Sequence, residues 1–274
     1  MLTEKIVNKS ELPSFLRWAG GKRWFVEKHW DLLPKQFNCY FEPFLGGGAV
    51  FFGMTPTRAI LSDVNKALIN TYRMIRDDPH LVMTILKEHD RHHCKEYYIK
   101  VRNSTPYCKV KQAARFIYLI RTCWNGLYRV NKSGDFNVPI GTKERALLQN
   151  DDFEKISTVL KNVELHSCDF EETVFRAKNK DLVFLDPPYS MVKQGEKFNK
   201  YNTEVFSWED QVRLAKAAFR AKSRGARIIM TNVDCEEIQA LYENDFEIKR
   251  LHRQSTLAAN SIKRGKYTEL LIMG

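Results

Sequence analysis

The chain has 274 residues, and its hydrophobic share of 43% and charged share of 28% are ordinary for a globular protein. Its apolar runs are too short to span a bilayer and residues 1–13 lack a signal-peptide core, so a cytoplasmic protein is expected. The 44 lysines and arginines exceed the 33 aspartates and glutamates, and this net charge of +11 favours a polyanionic partner such as nucleic acid.

The first quarter of the chain predicts two strands, each followed by a distinctive turn. A glycine pair at 20–21 predicts a tight turn, after which a helix is expected to run to about Leu33. A strand from Tyr40 leads into the glycine turn Gly46–Gly48 and then a helix. A second short strand ends at Asp63.

The middle of the chain predicts helices and one hairpin. Apolar residues recur at helical spacing over 65–90, 95–103 and 110–124. Residues 126–139 predict a hairpin with its turn at 131–135. This stretch carries the basic residues Lys109, Lys111, Arg115, Arg121 and Arg129. We therefore expect residues 66–149 to form an inserted lobe with its own basic surface.

Strand–helix alternation resumes at about Val163. The run Leu182–Leu185 is typical of a buried parallel strand, and further strands are predicted at 227–230 and 270–273. Ser207, with Asp210 three residues later, predicts a helix start, and Gly225 predicts its end. These patterns predict an α/β fold with a mostly parallel sheet, built from residues 1–65 and 150–274.

Six cysteines lie far apart without a C-x-x-C pair, so we expect reduced and mostly buried thiols. The segment His92-His93-Cys94 offers three metal-binding side chains, but a metal site needs further ligands at set spacing. A polar helix surface is the favoured interpretation there, and no metal is expected.

The glycine turn and Asp63 together indicate a nucleoside site. Glycines between a strand and a helix let a ligand approach the backbone, and an acid that closes the next strand commonly accepts hydrogen bonds from a ribose. The dinucleotide pattern G-x-G-x-x-G fails because Phe51 stands at its last position, which favours a nucleoside without a pyrophosphate. The alternatives are a turn that serves packing alone and an Asp63 that caps the following helix.

The segment 186–189, Asp-Pro-Pro-Tyr, is the strongest chemical motif. Its first residue is a carboxylate at a strand end, the prolines fix the backbone, and an aromatic ring follows. The amino group of adenine is a weak nucleophile because its lone pair is delocalised into the ring. The Asp186 carboxylate and the Pro187 carbonyl could accept its two hydrogens while Tyr189 stacks on the ring. A duplex base reaches such a pocket only when it is flipped out.

Five segments in this order resemble one family. They are Trp18-Ala19-Gly20-Gly21-Lys22, Phe44-Leu45-Gly46-Gly47-Gly48, Asn125-Gly126-Leu127-Tyr128-Arg129-Val130-Asn131, Phe136-Asn137-Val138-Pro139 and Asp186-Pro187-Pro188-Tyr189. Together they resemble the Dam-type DNA adenine-N6 methyltransferases, especially the bacterial and phage enzymes that modify GATC. The resemblance extends from about residue 15 to the C-terminus.

The resemblance implies a Rossmann-like S-adenosylmethionine-dependent methyltransferase domain with a helical-plus-hairpin DNA-recognition insert. It implies that the cofactor is bound by Trp18, Lys22, Phe44, Gly46, Gly48, Asp63, Asp169, Phe170 and Asp186. Lys22 would lie near the cofactor carboxylate and Asp63 near its ribose, and Asp169-Phe170, after a strand ending near Cys168, would cradle its adenine. The catalytic residues would be Asp186, Pro187 and Tyr189, and the DNA contacts would come from Asn125, Leu127, Arg129 and Pro139.

One departure from the family concerns target recognition. Many relatives continue after the hairpin with an Arg-Tyr-Lys segment, whereas Gly141 is followed here by Thr142-Lys143-Glu144-Arg145, which lacks the tyrosine and adds an acid. GATC is still the expected target. Arg129 is expected to contact a guanine edge, with a phosphate contact as the alternative. The basic stretch 253–266 is either a mobile loop over the substrate strand or a solvated surface loop.

Two other functions fit part of the pattern. The first is a DNA-binding relative that no longer catalyses, but an inactive protein has no need of an intact 186–189 segment. The second is methylation of a different DNA sequence, of RNA or of a protein glutamine amide, because the same pocket fits any planar amine. The basic hairpin lobe favours DNA over a protein substrate.

Overall fold

The computed structural model describes residues 9–10, 12, 14–16, 18–131, 133–188, 206–254 and 266–274. Its helices are α1 (Arg23–Lys28), α2 (Ala49–Met54), α3 (Lys66–Asp77), α4 (Pro79–Arg91), α5 (Lys95–Arg102), α6 (Lys109–Thr122), α7 (Phe153–Leu160), α8 (Phe170–Phe175), α9 (Trp208–Ser223) and α10 (Glu236–Tyr242). Its strands are β1 (Tyr40–Glu42), β2 (Ala59–Ser62), β3 (Val163–His166), β4 (Leu182–Leu185), β5 (Arg227–Val233), β6 (Glu247–Gln254) and β7 (Lys266–Met273).

The described strands form one seven-stranded sheet in the order β3-β2-β1-β4-β5-β7-β6. The pairs β1–β4, β4–β5 and β2–β3 are parallel, and β7 is antiparallel to both β5 and β6. The predicted α/β class and mostly parallel sheet are therefore confirmed. The strand order changes direction between β1 and β4, and open α/β sheets bind their ligands beyond the carboxyl ends of the strands at such a switch point.

Residue contacts divide the chain into two compact units. The first comprises Gln36–Phe44 and Cys168–Gly274, with β1, the strands β4 to β7 and the helices α8 to α10. The second comprises Leu45–Ser167 and the described residues up to Lys35, with α1 to α7, β2 and β3. The functional division into 1–65 with 150–274 and an insert at 66–149 stays a prediction.

In the first unit, local sequence signals set the element boundaries. Each side chain of β4 is buried, as expected for an apolar central strand. The predicted start of α9 is confirmed by a capping box, because the Ser207 hydroxyl accepts the Asp210 N–H at 3.1 Å and the Asp210 carboxylate accepts the Ser207 N–H at 3.0 Å. Gly225, with φ of +88°, lies just beyond the end of this helix, as predicted.

In the second unit, two long predicted helices are each divided. The prediction of one helix over 65–90 is wrong, because Asp78 caps a new helix by accepting the Leu81 N–H, and Pro79 occupies its first position. The helix expected to run to Leu33 ends at Lys28 and is followed by a short 3-10 turn. The helices predicted over 95–103 and 110–124 are confirmed as α5 and α6.

The predicted hairpin turn at 131–135 is confirmed. The Asn131 N–H donates to the Asp135 carbonyl at 2.9 Å, and the Gly134 N–H donates to the Asn131 carbonyl at 2.9 Å. The two arms meet at isolated bridges, Val130 with Phe136 and Cys123 with Ile140. The short pairing leaves most of the hairpin without a regular ladder.

The expectation of mostly buried cysteines is wrong, because Cys123 alone is buried while Cys94 and Cys108 are exposed. The segment 92–94 lies between α4 and α5, where both ring nitrogens of His93 take hydrogen-bond partners, the Tyr118 hydroxyl and the Lys143 carbonyl. The described residues contain no group of three or more side chains that could bind a metal ion. None of the described helices has the length and apolar character needed to cross a membrane.

Candidate active site

The glycine turn of the second unit fits tightly around one indole ring. Gly46 and Gly48 have φ of +46° and +64°, a region that side chains disfavour. A Cβ atom at Gly46 would lie 2.7 Å from the Trp18 ring, and one at Gly48 would lie 2.8 Å from the Tyr72 hydroxyl. The turn therefore requires glycine for both conformation and space, and it places Trp18 against the backbone that a ligand would approach.

Asp63 follows β2 and is tied to this turn. One carboxylate oxygen accepts the Gly46 N–H at 3.0 Å and the other accepts the Asn65 N–H at 3.0 Å. Burial raises the pKa of this carboxyl, and the two backbone hydrogen bonds oppose the rise. Each oxygen keeps a lone pair for a further donor, as two vicinal ribose hydroxyls would require. Asp63 does not cap α3, because the Asn65 side chain performs that function.

Lys22 and Trp18 belong to one tight turn. The Gly21 N–H donates to the Trp18 carbonyl at 3.0 Å, and the Lys22 amine donates to the Gly20 carbonyl at 3.0 Å. Lys22 is only 3% exposed, which is unusual for a lysine. A buried ammonium group favours an anionic neighbour.

Trp18 also stacks on two aromatic rings of the middle of the chain. Its ring centroid lies 5.7 Å from that of Tyr128, with 21° between the planes, and 6.3 Å from that of Phe116. Sequence reasoning included Tyr128 in the hairpin segment 125–131 but gave it no role of its own. Trp18 therefore lies against both the hairpin and the glycine turn of the second unit.

In the first unit, strand register places Asp186 beside Thr231. Leu185 pairs with Met230, so the next residues of β4 and β5 are also level, and the Thr231 hydroxyl donates to Oδ1 of Asp186 at 2.8 Å. Pro187 is buried and Pro188 is exposed. Tyr189 lies outside the described residues. The predicted carboxylate at the end of β4 is thus held in place by the neighbouring strand.

A second cluster in the first unit combines one carboxylate with three phenylalanines. Asp169 caps α8, because its Oδ1 accepts the Glu171 N–H at 2.9 Å. The Phe170 ring centroid lies 5.3 Å from that of Phe44 and 5.7 Å from that of Phe206. The strand expected to end near Cys168 ends at His166. Sequence reasoning missed Phe206, whose one signal was its place directly before the helix cap at Ser207.

The four predicted DNA-contacting residues, Asn125, Leu127, Arg129 and Pro139, are all exposed. The Arg129 guanidinium donates to the Asn137 side chain at 2.8 Å across the hairpin. The segment 142–145, which differs from the family pattern, is anchored to α4, because Arg145 forms an ion pair with Asp90 at 2.7 Å.

Part of the expected basic surface is not available to a polyanion. Arg121 is buried, and Arg115 donates to the carbonyls of Val101 and Arg102. Outside that stretch, near the C-terminus, the exposed Arg250 pairs with Asp234. The stretch expected to form a loop at 253–266 falls largely outside the described residues.

An α/β sheet with a glycine turn after its first strand and a carboxylate after its second defines a class of nucleoside-binding enzymes. The family model of the D12 class N6 adenine-specific DNA methyltransferases matches residues 18–257. The chain belongs to this family.

Curated relatives agree with this assignment. The chain is 38% identical to the Type II methyltransferase M1.LlaDCHI of Lactococcus lactis subsp. cremoris, over 97% of this chain and 96% of that one. It is 35% identical to the Type II methyltransferase M.MjaIII of Methanocaldococcus jannaschii, over 96% and 99%. It is 31% identical to the DNA adenine methylase of Vibrio cholerae serotype O1, over 95% of each chain.

The protein is therefore an enzyme that methylates N6 of adenine in DNA, and S-adenosylmethionine is its methyl donor. This donor supplies a methyl group activated by a sulfonium. Residues of each unit, taken separately, have the chemistry that parts of this donor require. In the second unit the two oxygens of Asp63 keep acceptor capacity, as ribose hydroxyls need. In the first unit Asp169 directly precedes Phe170, whose ring packs against Phe44, and such rings suit a purine.

Proposed function

We propose that the enzyme methylates adenine within GATC and acts on a base flipped out of the duplex. The observation that carries the proposal is the Asp186 carboxylate at the end of β4, which accepts a hydrogen bond from the Thr231 hydroxyl. An adenine amine inside a duplex is paired and stacked, so it reaches such a carboxylate only after extrusion. The hairpin segments 125–131 and 136–139, which resemble those of GATC-modifying enzymes, support the target sequence.

Asp186 and the Pro187 carbonyl would each accept one hydrogen of the adenine amine. These two acceptors localise the nitrogen lone pair and stabilise the positive charge that develops on the nitrogen as it attacks the methyl carbon. The carbon–nitrogen bond would form as the carbon–sulfur bond of the donor breaks, and the methylated nitrogen would then release one proton. Tyr189 would stack on the extruded ring. The rate enhancement would come from alignment and electrostatic pre-organisation without a covalent enzyme intermediate.

The cofactor site and the DNA site would use different parts of the chain. We propose that the cofactor is held by the following residues: Trp18, Lys22, Phe44, Gly46, Gly48, Asp63, Asp169, Phe170 and Asp186. Residues 66–149 would form the target-recognition insert of a catalytic domain made of 1–65 and 150–274. The exposed hairpin residues Asn125, Leu127, Arg129 and Pro139 would contact DNA.

Asp63→Asn should weaken S-adenosylmethionine binding about 10- to 100-fold, the cost of about 1.5–3 kcal/mol for hydrogen bonds to a charged acceptor. Isothermal titration calorimetry would measure the dissociation constant. Because burial raises the pKa of Asp63, cofactor affinity of the wild type should fall as the pH drops through that raised pKa, whereas the variant should lack this dependence. The exposed Asp77→Asn is a matched control, and wild-type affinity in Asp63→Asn would refute the role.

Methylation of an unmodified plasmid, followed by sequencing of the modified adenines, should place the product in GATC. A map dominated by another sequence would reject this target. Parallel reactions with RNA and with a glutamine-containing peptide should give no product, and methylation of either in preference to DNA would overturn the substrate class.

Arg129→Ala should lose about 1–3 kcal/mol of discrimination at one guanine, whereas Arg129→Lys, which keeps the charge but not the guanidinium fork, should bind DNA well and discriminate poorly. Competition of plasmid sites against single-base variants would measure this. If Arg129→Ala weakened binding to all DNA sequences equally and reduced the salt dependence of binding, Arg129 would contact a phosphate.

A further inference from the structure

We propose that Arg213 is a positioning residue for the adenine end of the cofactor. It would act through Asp169 and Phe170, two residues that it contacts directly within the first unit. The proposal rests on the proposed role of this pair in holding the cofactor adenine, and it adds a residue of α9 that no sequence motif indicated.

The Arg213 guanidinium is engaged on three sides. One terminal nitrogen donates to Asp169 Oδ1 at 2.9 Å and to Glu171 at 3.2 Å, and the other donates to Asp210 at 2.8 Å. The guanidinium carbon lies 4.9 Å from the centroid of the Phe170 ring. A planar cation that both pairs with the carboxylate and stacks on the ring fixes the two groups relative to each other.

The hydrogen bonds at Asp169 are unequal between its two oxygens. Oδ1 accepts both the Arg213 guanidinium and the Glu171 N–H that caps α8, each at 2.9 Å. Oδ2 accepts no hydrogen bond from any of the described residues. A carboxylate that is held by one oxygen presents the other in a fixed direction, so Oδ2 is a pre-organised acceptor for a purine amino group.

Arg213 is itself oriented by the start of its helix. The Asp210 carboxylate accepts a hydrogen bond from the second terminal nitrogen of Arg213. The same carboxylate completes the capping box with Ser207. The helix cap, the arginine and the Asp169 carboxylate therefore form one continuous chain of hydrogen bonds. A lysine at 213 would offer a single ammonium group and could not donate to Asp169 and Asp210 through two nitrogens of one fork.

The test compares S-adenosylhomocysteine with its inosine analogue, in which a ring carbonyl replaces the amino group. Wild-type protein should prefer the amino form about 10-fold or more, because the analogue removes a donor to a charged acceptor. Arg213→Gln should lose most of this preference, mainly by weaker binding of the amino form, and Arg213→Lys should retain part of it. Calorimetry of both ligands gives the ratio.

Arg220→Gln is the matched control, because Arg220 also lies on α9 and also pairs with Glu171, but forms no hydrogen bond to Asp169. It should keep the wild-type preference. If the role of Arg213 were merely structural, Arg213→Gln would weaken the binding of both ligands equally. The ratio of their affinities would then be unchanged, and this result would overturn the proposal.

Asp169→Asn separates this inference from the function on which it rests. Asparagine still caps a helix, so the fold should persist. If this variant loses the preference and Arg213→Gln keeps it, the positioning role alone is wrong. If Asp169→Asn binds both ligands like the wild type, the proposed adenine site is wrong, and the role of Arg213 with it.

Discussion

Asp186→Ala should reduce methyl transfer by about 10³-fold while much of the DNA binding persists, because it removes a pre-organised acceptor for the charge that develops on the attacking nitrogen. Asp186 follows β4, and its carboxylate accepts a hydrogen bond from the Thr231 hydroxyl of the neighbouring strand at 2.8 Å. Single-turnover transfer of a tritiated methyl group to unmethylated plasmid would give the rate, and fluorescence anisotropy would give DNA affinity.

Thr231→Val gives a graded comparison at the same site. It removes the hydroxyl that holds Asp186 but keeps the carboxylate, so the rate should fall only about 10-fold, which corresponds to about 1.4 kcal/mol. Combining it with Asp186→Ala should cost little more than Asp186→Ala alone, because the hydroxyl acts through the carboxylate. A wild-type rate in Asp186→Ala would refute the mechanism.

The parts of the site that sequence reasoning predicted depend on local signals. A buried apolar run followed by Asp-Pro predicts β4 and the position of Asp186, and the spacing of Ser207 and Asp210 predicts the start of α9. The glycine turn follows from three consecutive glycines. In each case a few neighbouring residues determine the backbone, so no distant contact was needed.

The parts that were missed depend on distant partners or on a signal that was overlooked. The strand β6 lies at the edge of the sheet formed by the described strands, where β7 is its neighbour. Charged residues are common on such edge strands, so its sequence has little of a strand pattern. The stacking of Trp18 on Tyr128 joins residues far apart in the chain. The break between α3 and α4 was predictable, since Asp78-Pro79 is a helix-start signal.

The charge count predicted a nucleic-acid partner, which agrees with the family, but it did not identify which cations are exposed. The basic residues of the middle stretch predicted a surface for a polyanion, yet Arg121 is buried on α6 and donates to groups of its own unit. A sequence gives the number of cations but not the helix face that each one occupies. Arg129 is exposed on the hairpin and stays the proposed DNA contact of that stretch.

Arg121→Met should destabilise the protein by about 3–5 kcal/mol, the typical cost of removing one partner from a buried ion pair. The guanidinium donates to both oxygens of Asp151 at 2.6 Å, to the Phe15 carbonyl at 2.7 and 3.1 Å, and to the Ala146 carbonyl at 3.0 Å. Without it, the Asp151 carboxylate is buried without its cation and the Phe15 carbonyl loses both guanidinium donors. Urea unfolding followed by circular dichroism would measure the change.

Two comparisons make this prediction specific to the buried pair. Arg121→Met combined with Asp151→Leu should recover part of the lost stability, because no uncompensated charge is then buried. Arg129→Met, in the exposed hairpin, should change stability by no more than about 0.5 kcal/mol. The salt dependence of DNA binding should be unchanged in Arg121→Met, because a buried arginine releases no counterions from DNA. Wild-type stability together with a shallower salt dependence would instead place Arg121 on the DNA-binding surface.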